Sequence, residues 1–144
     1  MNRSTVIILA AAASAAALAQ NPFAPTLTAN VPFAFHQMDI ALSAGHYQIK
    51  SGPASGTVVI ADGSGRNLAV TITGQRSVKP AKKGVLRFNC YDGNNCFLRE
   101  VVTPGSERSM AIPAGKVEVE IRRGAGVKVA VVETPLFSAR ASAE

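Results

Sequence analysis

The chain has 144 residues, with 15 Lys and Arg against 9 Asp and Glu, for a formal net charge of +6. At 47% hydrophobic residues it is too apolar for a disordered polymer. Its length suits one hydrophobic core rather than several, and its positive charge favours anionic partners over cationic ones.

The N-terminus has the three-part pattern of a signal peptide over residues 1–19. Arg3 supplies the positive start, Thr5 to Ala19 carry no charge, and Ala17-Leu18-Ala19 fits the small-x-small cleavage rule before Gln20. The apolar run is shorter than the roughly 20 residues that cross a bilayer. Asn21-Pro22 then stops a helix from continuing. We therefore expect an extracytoplasmic product, periplasmic or secreted, without a transmembrane segment in the mature chain. The two cysteines, Cys90 and Cys96, read as a disulfide in that oxidising setting.

Residues 20–30 read as a lead-in, 31–133 as a single β domain and 134–144 as a flexible tail. Within the domain, apolar and β-branched runs alternate with Gly, Pro, Asn and Asp. Val31-Pro32-Phe33-Ala34-Phe35 is a candidate first strand, which Pro32 confines to an edge or a strand start. Leu42-Ser43-Ala44-Gly45 is a turn feeding a strand over His46 to Lys50. Further strands are expected at Thr57 to Ile60, Asn67 to Thr73, Arg108 to Ile112 and Val127 to Val132. Gln75 to Gly84 reads as a polar, basic loop.

The clearest unit is the hairpin of Val85–Tyr91 and Asn95–Val102 around Asp92-Gly93-Asn94. With a three-residue loop, Cys90 faces Cys96, Phe88 faces Leu98 and Leu86 faces Glu100. Leu86, Phe88, Leu98 and Val102 then share the core face with the disulfide, and Arg87, Asn89 and Arg99 share the other. The cost is Arg87 opposite Arg99. A slip of one residue would pair Arg87 with Glu100 but separate the cysteines onto opposite faces. Residues 114–124 are open between strand and helix. Val117, Val119 and Ile121 alternate with Glu118, Glu120 and Arg122, while Pro113 and Gly124 suit the ends of a short helix.

Three stretches, Val31-Pro32-Phe33-Ala34-Phe35 with Leu42 to Tyr47, Leu86 to Asp92, and Phe97 to Val101, resemble a group of small exported bacterial β-proteins. That group's pattern is V-P-F-x-F, L-P-A-G-x-Y and a hairpin, and its function is unknown. Here Ser43 stands where that group prefers proline, and the hairpin carries cysteines. The resemblance implies a helix after Pro113. The Leu42 to Tyr47 piece is also similar to a turn of transthyretin-like and collagen-binding-B-like β-sandwiches, which implies Leu42 and Tyr47 in the core. The fold expected is mainly β, a single antiparallel sandwich or short barrel of about seven to nine strands, with one short C-terminal helix as an option.

The chemistry on offer is sparse. No catalytic residues are assigned: His36 and His46 are the two histidines, no G-x-S-x-G lies near them, and a bridged cysteine is no nucleophile. No cofactor is expected. His36, Met38 and His46 are candidate copper ligands, imidazole and thioether being donors that copper favours. Arg76, Lys79, Lys82, Lys83 and Arg87 form a candidate polyanion site. Without interleaved aromatic residues this is not a nucleic-acid site. An exported, non-enzymatic binding or structural protein of the cell envelope is the leading expectation. Its partner would be an envelope polysaccharide or another exported protein, and a hydrolase-like enzyme on the same scaffold is the alternative.

Overall fold

The computed structural model describes residues 26–138 except Pro53 and Ala81. The segment read as a signal peptide, and residues 139–144 of the expected tail, lie outside the described residues. The fold is mainly β, as expected: two facing sheets and one short helix, a sandwich rather than a closed barrel.

The first sheet is antiparallel and joins β1 (Leu27–Val31), β4 (Gly45–Ser51), β5 (Thr57–Asp62), β6 (Asn67–Ile72) and the two-residue β12 (Phe137–Ser138), in the order β12-β1-β4-β5-β6. The second joins β7 (Gly74–Ser77), β8 (Val85–Tyr91), β9 (Asn95–Val102), β10 (Arg108–Ala111) and β11 (Val129–Pro135), in the order β11-β8-β9-β10-β7. A small hairpin of β2 (Phe35–Gln37) and β3 (Ile40–Leu42) attaches to it through a parallel bridge between His36 and Phe97. The described residues thus form twelve strands rather than seven to nine, the surplus being pieces of two to four residues.

Alternation along each strand buries one face. Val31, Tyr47, Ile49, Val58 and Ile60 from the first sheet meet Leu86, Phe88, Cys90, Leu98 and Val101 from the second. Phe35 sits between the sheets, edge-on to Tyr47 at 5.3 Å and to Phe88 at 5.2 Å between centroids, the arrangement that ring quadrupoles prefer. Leu42 and Tyr47 are in this core. The Tyr47 hydroxyl donates to the Ser43 carbonyl. That acceptor is main-chain, so the bond does not depend on which side chain stands at position 43.

Several expected boundaries are corrected. Val31 to Phe35 is not one strand: β1 ends at Val31, and β2 begins at Phe35. Pro32, with no N–H to give to a ladder, marks the break. The strands overrun the 31–133 limits at both ends, because β1 starts at Leu27 and β11 continues through Pro135 to the buried Leu136 and then β12. Residues 75–77, expected within the loop, are strand, and that strand starts at Gly74. This β7 is an edge strand whose residues are all exposed, paired with β10 from Gly74↔Ala111 to Ser77↔Arg108.

The hairpin keeps its expected register near the turn, with Cys90↔Cys96, Asn89↔Phe97 and Phe88↔Leu98, and Cys90 and Cys96 form a disulfide. Asp92 and Gly93 both adopt left-handed backbone, φ 50° and 81°, which aspartate tolerates and glycine takes without strain. Beyond Leu98 the register shifts at a β-bulge. Arg87 faces Glu100, not Arg99, and Leu86 faces Val101, not Glu100. The bulge relieves the expected arginine pair and turns Val101 to the core. Val102, opposite Val85, leaves that face.

Residues 116–123 are a helix, α1 (Lys116–Arg123). Its start is capped from elsewhere in the chain: the Val117 N–H donates to Asp39 Oδ1 at 3.2 Å, in the β2–β3 turn. Gly115 makes this approach feasible, since a Cβ there would lie 2.6 Å from Asp39 Oδ1 and 2.9 Å from the Met38 carbonyl carbon.

Candidate anion-binding site

The face of the second sheet turned away from the core carries the concentration of charge. Alternation that sends Leu86, Phe88 and Cys90 inward sends Arg87, Asn89 and Tyr91 outward. At the bulge Arg99 and Glu100 together stand opposite Arg87, so both reach this side. Arg76 of β7 and Arg122 of α1 flank it.

Two clefts of about 490 Å³ each adjoin on this face. One runs beneath α1, over Asn89, Tyr91, Ile112 and Val129, with Arg76, Arg99 and Arg122 around it. The other lies toward β7 and is lined by Arg76, Lys79, Arg87, Arg99 and Glu100. Arg76, Arg99 and Val131 line both.

The arginines differ in how their charge is met. Arg87 donates from Nε to Glu133 at 2.9 Å and lies 3.5 Å from Glu100, contacts that raise its pKa against the cost of partial burial. Arg122 donates to the Tyr91 hydroxyl at 2.8 Å and to Glu118 at 2.9 Å, and its pKa is raised too, chiefly by the tyrosine contact. Arg76, half-exposed, is 3.9 Å from Glu100. Glu100 itself is only 2% exposed, and Glu118 4%. Buried carboxylates of this kind persist only beside cations. Arg99, partly buried, has no carboxylate within ion-pair distance among the described residues. Its NH1 reaches only Asn89 Oδ1, at 3.5 Å.

Of the basic residues singled out in the sequence, Arg76, Lys79 and Arg87 come together here, whereas Lys82 and Lys83 are exposed and line neither cleft. Arg99 was legible only as an outward-facing residue, and Arg122 not as part of this face. The Glu118–Arg122 spacing of four was the available signal, since it joins the two only on a helix.

The candidate copper ligands are not gathered. His36 stacks on Phe97 at 4.9 Å in the second sheet, and Met38, in left-handed backbone at φ 54°, packs against the core. His46 is exposed on β4 in the first sheet. The positive φ at Met38 breaks the alternation that would place it on the same side as His36. Among the described residues no group of three or more His, Cys, Asp or Glu side chains is placed to hold a metal ion. Comparison with protein-family models, curated proteins and solved structures finds no match.

Proposed function

We propose that this protein is an exported, non-enzymatic domain that binds an anionic polymer, an acidic envelope polysaccharide, on the outer face of its second sheet. One observation carries the reading: Arg76, Arg87, Arg99 and Lys79 converge on one cleft whose single carboxylate, Glu100, is buried and already shared by two of the arginines. Such a face attracts polyanions over the Debye length, about 10 Å at 0.1 M salt. The non-enzymatic part draws support from the side chains themselves. Neither cleft brings two carboxylates together, and both cysteines are bridged. The exported part draws support from the Thr5–Ala19 run and the disulfide. It is also compatible with the finding that no described helix is long and apolar enough to cross a membrane.

The test is retention on immobilised dextran sulfate and heparin with elution by salt. The folded protein is expected to bind at low ionic strength. Arg76→Gln with Arg87→Gln should elute markedly earlier, and Lys82→Gln with Lys83→Gln only slightly earlier. Flow-through of the native protein at low salt overturns the reading. For export, N-terminal sequencing of the product collected outside the cytoplasm should start at Gln20; a start at Met1 overturns the cleavage.

A further inference from the structure

Resting on that reading, we infer that Arg99 is the seat of one discrete oxyanion, the carboxylate or phosphate of an acidic sugar unit, with Arg76 and Arg122 closing on it from either side. A general basic surface needs no such seat. Four features set Arg99 apart from its neighbours.

First, no carboxylate among the described residues answers its charge. Arg76, Arg87 and Arg122 each have a carboxylate within 4 Å, and Arg99 has none among the described residues. Its one side-chain hydrogen bond among the described residues, to Asn89 Oδ1, is long at 3.5 Å and leaves most of its guanidinium donors open. A partly buried guanidinium that shares its cleft with Arg76 and Arg122 is poorly placed alone, and an anion from outside would relieve it.

Second, Arg99 occupies the point where the two clefts meet, since it lines both together with Arg76 and Val131. Third, it stands on the bulge, where an extra residue interrupts the ladder between Phe88↔Leu98 and Arg87↔Glu100. Bulges re-aim side chains in this way. The planar fork of a guanidinium matches a carboxylate or phosphate in two-point contact, which a lysine cannot reproduce.

Fourth, the surroundings fit a sugar ring rather than a bare ion. A cleft of about 490 Å³ exceeds what a single ion fills. Its wall pairs apolar Ile112, Val129 and Val131, which suit the C–H face of a ring, with the Asn89 amide, which suits hydroxyls. Glu100 is the one opposing charge in the second cleft. Its Oε2 faces Arg76 and Arg87, and its Oε1 is buried without a partner, so neither oxygen answers Arg99.

Trigalacturonate and mannose 6-phosphate, titrated into the disulfide-intact protein, test this by calorimetry and by NMR of the arginine Nε–Hε signals, with maltotriose as the neutral control. Saturable one-to-one binding of either acidic probe, with the Arg99 signal moving most, is the expected result, and the tighter probe tells carboxylate from phosphate. Arg99→Gln should weaken that binding at least tenfold and Arg99→Lys by less, while Lys82→Gln with Lys83→Gln leaves it unchanged. The NMR arm needs no variant, so it holds even if a substitution disturbs folding. If neither acidic probe moves the Arg99 signal while dextran sulfate still retains the protein, the seat is wrong and the polyanion face stands. If dextran sulfate fails as well, the broader reading falls with it.

Discussion

The outer faces of the two sheets are built on different terms. On the first sheet Thr28, Asn30, His46, Gln48 and Lys50 alternate with the core residues of β1 and β4, and no described residue of these strands enters an ion pair. Its edge strand β6 turns Val70 and Ile72 to solvent at 57% and 76% exposure. The second sheet and the helix bonded to its Tyr91 hold all four ion pairs among the described residues, and two carboxylates, Glu100 of β9 and Glu118 of α1, are sunk almost completely from water. Burying charge does not help a sandwich hold together, since apolar residues of similar volume serve as well or better. The difference teaches that the second face is organised around something besides stability.

That contrast can be broken or sharpened by substitution. Glu100→Ala should have the largest effect, because it leaves Arg76 and Arg87 without their shared carboxylate beside Arg99. A loss of about 2 kcal/mol in urea unfolding is expected, discounted from the fully buried case because Arg87 is a third exposed and Arg76 half. An unchanged midpoint would mean that the network is ornamental. Gly115→Ala comes next. Its methyl meets Asp39 and Met38, so α1 must lift from the β2–β3 turn at a cost of about 1–2 kcal/mol. NMR shifts at Tyr91 and Val117 would report the lift. Asp39→Ala removes only the cap, worth about 1 kcal/mol, and circular dichroism should show a frayed helix on an intact sandwich.

On the first sheet the effects should be small. Lys50→Ala is expected to change stability by less than about 0.5 kcal/mol, and a larger loss would erase the contrast between the faces. Asp62, at the end of β5, is the titratable group to watch. The Ser64 hydroxyl, then the Arg66 amide, hold its carboxyl below the ordinary value of 3.8. A value lowered by folding means that its contribution is complete above pH 3.8 and is lost as pH falls through the folded-state value. Carboxyl titration by NMR should therefore give a midpoint under 3.8, with the Ser64 and Arg66 amides shifting in step. A midpoint at or above 3.8 would count against the turn.

How much of this was legible depended on whether apolar residues carried the signal. The hairpin around Asp92-Gly93-Asn94 announced itself, because its turn residues demand left-handed backbone and Phe88 and Leu98 demand one face. The bulge was harder to read, because its trace is two charged residues in succession, Arg99 and Glu100, where strict alternation would send Glu100 to the core face. What breaks it is a charge preference, Arg87 for Glu100 over Arg99, acting against a ladder of equal spacing. Strand β7 was invisible because an exposed edge strand has no apolar period. Residues 114–124 stayed open for a related reason. The alternation of Val117, Val119 and Ile121 mimics a strand, while the fully buried side of the helix is Glu118, a carboxylate held by Tyr91 and Arg122. The candidate site suffered most, since its residues come from β7, β8, β9 and α1 and meet only through the fold.

The clasp between Asp39 and Val117 also orders events in time. The two residues are 78 positions apart, and an eight-residue helix is too short to persist alone in water. Helix α1 therefore forms when the β2–β3 turn and Tyr91 are already in place to receive it. Its amides should exchange with solvent as one unit, at a lower free energy than those of the sheet beneath. A chain threaded unfolded across a membrane would carry every arginine of the second face and yet no groove. The cleft that Arg122 lines would be complete only when α1 docks, whereas the cleft toward β7 needs the sheet alone.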